Sequence, residues 1–501
     1  MQRRRANDSV HWFMNELSAR VVAESGIPSD RYHLGKLILQ SFKDAPDFIT
    51  QIDGGTGESE TCQSVLQRSI KCATAFKNVG LQHGDVVVLM GLSHIDLAIP
   101  LYAALYLGIA IAPIDRTYTV NELYESFNVI RPKMVFCQSE KAPDVQLAVK
   151  QLDQTIEIIT FDKGDYFCNF SEFLEKNGDD TTIEDFRATD FDPDETISFL
   201  MSTSGTTGAS KSAIASHMNL AISSPNLWLI NTKKHILKPT FTTMVPPFMT
   251  TLIKPEDRDK CDFTCFELLI LSGNAVPVEL VKELKTISPN TEVAEIFGMT
   301  EMAGISFCYE DSPPGSCGKP LGCFQYRLID METGKDINVP NQRGELWVKG
   351  PGVFKGYYHN PKATEDAFAK DRWFKTGDIF FRDEHWNFYF VERIKLMLKY
   401  MIYHISPVEL ENLIRSHPGV LDAAVTGIPD PENGDLAVAC VVRQSGSGVT
   451  AQDIKDLVKE SLPEYKQLRG GVIFINELPM TASSKIHRVK LKQMVLHMER
   501  E

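Results

Sequence analysis

The chain has 501 residues, 43% of them hydrophobic and 24% charged, the balance of a soluble globular protein long enough for two or more domains. A formal net charge of −14 with no long basic run argues against nucleic acid as a partner, leaving room only for a local basic pocket around an anionic cofactor. The cysteines form no CxxC pair, and Cys261 and Cys265 lack a second pair or nearby histidines, so reduced, mostly buried thiols are expected rather than a zinc site or a disulfide framework.

Arg3-Arg4-Arg5 is followed by no apolar stretch, and Met498-Glu499-Arg500-Glu501 is not the Ser-Lys-Leu peroxisomal signal, so a cytoplasmic location is expected. Residues 85–90 are a β-branched run after a turn at Gly84, residues 97–107 have helical length, and residues 109–114 are strand-like again. The apolar stretch 97–114 approaches the length of a membrane span, but Pro100, Gly108 and Pro113 interrupt it and Asp96 and Asp115 bracket it. A buried helix leading into a buried strand is expected, and no membrane span. Residues 133–137 and 156–160 continue the alternation, which implies βαβ units and a largely parallel sheet.

Residues 197–201 read as a strand that delivers the segment Thr203-Ser204-Gly205-Thr206-Thr207-Gly208-Ala209-Ser210-Lys211. The glycines let successive backbone N–H groups point at one anion, the hydroxyls add donors, and Lys211 supplies a point charge suited to phosphate. A Gly/Ser/Thr-rich surface turn is the plainer alternative. A Walker A loop is not, because Ser210 stands where that pattern requires its second glycine.

Further on, residues 295–301 bring Thr300 and Glu301 to a glycine turn, where a hydroxyl could meet a phosphate and a carboxylate a Mg²⁺ ion; a helix cap is the simpler account. Residues 373–378 place Asp378 after a tight turn, where it could accept both hydroxyls of a ribose. Beyond about Glu392 lies a separate α+β unit. Ser406-Pro407-Val408-Glu409 has the form of a capping box with proline at the first helical position, and Thr450 to Asp453 resembles a second helix start. Residues 420–428, 436–443 and 471–475 read as strands.

With Gly344-Glu345-Leu346, Val391-Glu392-Arg393 and Pro479 to Lys485, these segments resemble, in order, the motif series of the adenylate-forming superfamily. That superfamily includes acyl-CoA synthetases, 4-coumarate–CoA ligases, firefly luciferases and peptide-synthetase adenylation domains. The resemblance runs from about residue 45 to about 495 and is similar above all to the luciferase/4-coumarate–CoA ligase branch. It implies an α/β fold: a large N-terminal domain of parallel-rich sheets with helices over residues 1–391, and a small mobile α+β domain over residues 392–501. It also implies ATP, Mg²⁺ and coenzyme A as cofactors and a small-molecule carboxylic acid as substrate.

Residue by residue, the resemblance implies that Ser204 to Lys211, with Thr203, Gly205, Thr206, Thr207 and Gly208, hold the departing phosphates. Thr300 contacts the α-phosphate, Glu301 holds Mg²⁺, Asp378 binds the ribose with Arg393 nearby, and Asn274 and Ala275 line the adenine. Lys485 bridges the attacking carboxylate and the phosphate, and the small domain rotates about Glu392 between half-reactions.

Against that pattern the segment 221–244 is short by several tens of residues, and the Pro-Phe-His-like motif that packs against the acyl substrate is missing; His235 does not match it. A shortened sheet is expected to expose an edge and to lose core packing. Ser484 replaces the glycine before Lys485, Glu392 replaces a hinge aspartate, and Ile402 stands where a glycine is usual in the segment approached during thioester formation. The expected activity is therefore acyl-adenylate formation followed by transfer to coenzyme A. A truncated member that only binds nucleotide is an alternative, and a luciferase-type monooxygenase a remote one.

Overall fold

The computed structural model describes residues 5–164, 167–203, 211–225, 241–253, 263–273, 276, 278–308, 312–401, 403–481 and 485–501, with the backbone alone for residues 5–11, 247, 251, 278 and 279. A large N-terminal domain of parallel-rich sheets with helices is followed by a small α+β C-terminal domain. Its first sheet has the spatial order Cys168–Asn169, Glu157–Thr160, Met134–Cys137, Val86–Leu89, Ala110–Pro113, Ile197–Thr203, Lys211–Ser216. Neighbours run parallel except the last two strands, which form an antiparallel hairpin.

Strand side chains alternate between two cores, as a period of two requires. Val87 and Leu89 join Phe136, Phe76 and Tyr106 under the helices Cys62–Asn78 and Ala98–Leu107. Val86 and Val88 join Leu123, Phe127 and Val145 under Val120–Ile130 and Ala142–Val149. The apolar stretch is thus a buried helix ended by Gly108 at φ 69, then a buried strand, as the sequence implies. Among the described residues no helix is long and apolar enough to cross a membrane. Cys62, Cys72, Cys137, Cys317 and Cys440 are free and buried.

The second sheet is parallel, with the order Phe241–Met244, Leu268–Leu271, Glu292–Glu295. Leu268–Leu271 is buried throughout, whereas Phe241–Met244 alternates exposed and half-buried residues, with Phe241 40% exposed. The third sheet is an antiparallel meander of Gln325–Ile329, Gly344–Lys349, Phe374–Arg382 and Phe388–Arg393. It closes over an aromatic core in which Phe307, Phe354, Phe374, Phe380 and Phe388 are all buried.

Between Arg393 and Leu398 the chain passes into the C-terminal sheet, built from Leu398–Tyr400, Tyr403–Ile405, Val420–Asp430, Gly434–Arg443 and Gly471–Phe474. Helices Pro407–Arg415 and Ala451–Ser461 cover one face, with Leu410, Ile414, Ile454 and Val458 buried; Arg488–Val495 covers the other. Thr450 and Asp453 form a reciprocal capping box. At the first helix the box is only half made. Ser406 accepts from Glu409 N, but the Glu409 carboxylate goes to Lys466 Nζ at 2.5 Å, because the nearby ammonium offers a stronger, charged donor than the cap N–H.

Two local expectations are corrected. Asp378 lies inside a strand rather than after a turn, because Gly377 at φ 70 bends the strand without ending it. Residues 295–301 do not cap an α-helix: Gly298–Met299 pairs with Gly304–Ile305, and Thr300–Met302 is one 3-10 turn at the tip. Position 298 has to be glycine there, since a Cβ would stand 2.5 Å from Gly304 O.

Candidate active site

The site collects where the tips of the three N-terminal sheets meet the C-terminal domain. Thr203 and Lys211 face each other across the antiparallel hairpin, and Thr203 Oγ1 donates to Lys211 O at 3.1 Å. The intervening Ser204, Gly205, Thr206, Thr207 and Gly208 lie outside the described residues, as do Asn274, Ala275, His235, Ile402 and Ser484.

Glu301 is fixed twice. Its carbonyl accepts Phe354 N at 2.8 Å, and its carboxylate Oε1 accepts the Tyr357 hydroxyl at 2.9 Å. The residue is buried, and no cation is bonded to its carboxylate among the described residues. A buried carboxylate with one neutral donor retains acceptor capacity for a cation, which suits a hard divalent ion.

Asp378 is held by a different device. Its backbone N–H donates to Thr376 Oγ1, while Gly377 N donates to Glu345 Oε1 at 3.1 Å, so the bend that carries it is tied on both sides. Arg393 Nε donates to Asp378 Oδ1 at 2.8 Å. Among the described residues Oδ2 is buried without a partner, a state that normally marks a missing donor. Burial pushes the Asp378 carboxyl up to about 6, against the pull of Arg393.

Lys485 comes from the C-terminal domain, on a hairpin-like segment where Met480 pairs with Ile486 and Lys485 N donates to Thr481 Oγ1. Its Cε stands 3.7 Å from where a Cβ on Gly273 would lie. Burial lowers its pKa, as does the Arg393 charge, whereas Glu301 and Asp378 raise it; the lysine therefore lies within the field of all three. Lys485, Glu301, Asp378 and Arg393 thus converge. Lys211 joins them indirectly, its Nζ 4.8 Å from the Tyr357 ring centre. Thr300 precedes Glu301 in the same turn and is half-buried.

Four residues of this site escaped sequence reasoning. Tyr357 carried no distinctive local signal, and Thr376 stood within the segment 373–378 with no role given. Glu345 stood within a noted motif with no role given. Glu295 is a strand residue whose side chain accepts Cys317 Sγ–H at 3.8 Å, and burial pushes its carboxyl up to about 7. Met401 has a left-handed φ of 51, an uncommon conformation for a residue other than glycine.

Comparison with known proteins bears on this arrangement. The AMP-binding enzyme family matches residues 39–236 and 235–358, and the AMP-binding enzyme C-terminal domain matches residues 409–485. A luciferin 4-monooxygenase of Photuris pensylvanica is 29% identical over 511 residues, covering 91% of this chain and 93% of that protein. A peroxisomal OPC-8:0-CoA ligase of Arabidopsis thaliana is 27% identical, with 88% and 90% covered. The fold is similar to that of ATP-bound MatB from Rhodopseudomonas palustris, with a TM-score of 0.79 at 24% identity over 91% of this chain and 98% of that one.

Proposed function

Because the chain belongs to the AMP-binding enzyme family, in which acid–CoA ligation is widespread among the relatives it matches, we propose that it is an ATP-dependent acid–thiol ligase acting on a fatty or aromatic carboxylic acid. The observation that carries this reading is the convergence of Lys485 from the C-terminal domain on Glu301 and Asp378 of the N-terminal domain and on Arg393, at the end of the last strand of the third sheet. ATP and a divalent metal fit the donor set: Asp378 Oδ2 lacks a donor that a ribose hydroxyl supplies, and Glu301 has one neutral donor and spare acceptor capacity. Held by Glu301, Mg²⁺ would neutralise phosphate charge.

In the adenylation step the acid's carboxylate oxygen attacks the α-phosphorus of ATP, and the bond to the β-phosphate oxygen breaks, releasing pyrophosphate. The chain's contribution is charge and position rather than a nucleophile. Lys485 offsets repulsion between two anions that must approach, Asp378 and Arg393 fix the ribose end, and Thr203 to Lys211 receive the leaving phosphates. In the second step a coenzyme A thiolate attacks the acyl carbon and AMP leaves. We assign that step to a rearranged C-terminal domain hinged near Glu392, with residues 1–391 and 392–501 moving as separate units. Glu392 accepts from Ser406 Oγ and Val408 N, so its carboxylate fastens the helix Pro407–Arg415 to the last strand of the third sheet.

A second reading, a truncated member that binds nucleotide without turnover, is favoured by two observations. Strand Phe241–Met244 is half-exposed where its neighbour is buried. The family match falls into two pieces that meet at residues 235–236, within the short segment 221–244. ATP–pyrophosphate exchange over a panel of fatty and aromatic acids separates the readings. Acid-dependent exchange supports the ligase, and nucleotide binding with no exchange for any acid overturns it.

A further inference from the structure

Tyr357 stands between two groups that the ligase reading assigns to different tasks. Its hydroxyl donates to Glu301 Oε1 at 2.9 Å, and its ring lies 4.8 Å from Lys211 Nζ. The backbone around it is fixed in three ways. Ile214 N donates to Gly356 O and Tyr358 N to Ser212 O, so residues 356–358 run as an added rung along the strand Lys211–Ser216. Tyr357 N donates to Thr364 Oγ1 at 2.9 Å. Gly356, at φ 145, leaves space that a Cβ would fill 2.6 Å from Thr364 Cγ2, so the tyrosine is seated by close packing behind it. Phe354 N holds the Glu301 carbonyl from the same segment. One short stretch therefore fixes both the backbone and the carboxylate of Glu301 and lies beside Lys211, the last residue of the phosphate loop.

We propose that Tyr357 is a positioning residue that aims the Glu301 carboxylate at a divalent metal and gives the Lys211 ammonium a resting place on its ring until a polyphosphate draws it away. The proposal rests on the ligase reading for the identity of the metal and nucleotide, not for the contacts. The hydroxyl and the ring act separately: the O–H fixes one oxygen of Glu301, and the ring face attracts the cation.

Two variants separate the parts. Tyr357→Phe keeps the ring and removes the hydroxyl, whereas Tyr357→Leu removes both. Binding of Mn²⁺ in the presence of ATP, followed by electron paramagnetic resonance, is expected to weaken about tenfold in Tyr357→Phe, a change of about 1.4 kcal/mol, with an unchanged melting temperature. Calorimetric binding of metal-free ATP is expected to match the wild type in Tyr357→Phe. In Tyr357→Leu it is expected to be about threefold tighter, the size of a cation–π contact at a partly exposed site, with that gain absent when Lys211 is already alanine. Equal Mn²⁺ affinity in Tyr357→Phe and wild type overturns the metal-positioning role. A Tyr357→Leu effect that persists without Lys211 overturns the resting-place role. Wild type that binds Mn²⁺ and ATP but shows no pyrophosphate exchange removes the ligase reading and leaves these comparisons intact; wild type that binds no Mn²⁺ with ATP ends both.

Discussion

Asp378 and Arg393 are directly paired in register across two antiparallel strands, and the guanidinium Nε of Arg393 reaches Asp378 Oδ1 at 2.8 Å. The pair leaves Asp378 Oδ2 as a buried acceptor with no donor among the described residues, so the ion pair orients the carboxylate without saturating it. The same two residues would set how nucleotide affinity depends on pH.

Burial raises the Asp378 carboxyl to about 6, above its unfolded value of 3.8. A raised folded pKa means that the stability contribution of this group is fully present below the unfolded pKa and is lost as pH rises through about 6. Nucleotide affinity runs the other way under the proposed ribose assignment, in which the charged carboxylate would accept the two hydroxyls. ATP binding measured by calorimetry is expected to weaken several-fold from pH 7.5 to pH 5.5, and Asp378→Asn is expected to be weak and flat across that range. A wild-type affinity independent of pH would falsify the assignment.

Glu295 allows a test of stability alone. Its carboxyl is pushed from 4.5 up to about 7 by burial, which outweighs the Cys317 hydrogen bond. The folded pKa is again the higher one, so the charged form penalises the fold above pH 7 and no penalty remains below about pH 4.5. Glu295→Gln removes the charge. Its melting temperature is expected to exceed the wild type's by a few degrees at pH 8, with the gap closing at pH 5. A gap of the same size at both values shows that packing, not ionisation, is responsible.

Lys485 acts in one half-reaction under this proposal. Lys485→Ala is expected to lower acid-dependent pyrophosphate exchange by at least about 100-fold, the scale of losing one preorganised charge in a water-poor site. Thioester formation from added acyl-adenylate and coenzyme A is expected to change less than about threefold. Equal loss in both steps contradicts the assignment.

In the C-terminal domain, Arg488 holds the buried carboxylate of Glu411 with Nη1 at 2.5 Å and Nη2 at 3.1 Å, while Val425 N donates to the same group. Burial alone pushes the Glu411 carboxyl up, yet Arg488 and Arg415 bring it below its ordinary value. Arg488→Met leaves a buried charge short of its main partner and is expected to cost about 3 kcal/mol. Because Glu411 has a depressed pKa, the loss is largest above its unfolded value of 4.5 and shrinks as pH falls through the folded one. Hydrogen exchange of the strand Val420–Asp430 is the measurement, with the N-terminal sheets as the unaffected control.

Composition, periodicity and punctuation carried the layered architecture. The strand-like runs at 85–90, 133–137 and 156–160 became the parallel strands Val86–Leu89, Met134–Cys137 and Glu157–Thr160, because a short apolar run buried on both faces has few other solutions. Residue types at glycine turns also marked Glu301 and Asp378, whereas Lys485 was marked only by the resemblance of its segment to a family motif. What the linear order could not carry is which charges meet. The orphan oxygen of Asp378 and the tether of Glu301 by Tyr357, 56 residues away, follow from strand register and sheet closure. So does the diversion of the Glu409 carboxylate to Lys466. These are long-range pairings, decided by packing and desolvation, and neither leaves a local pattern in the chain.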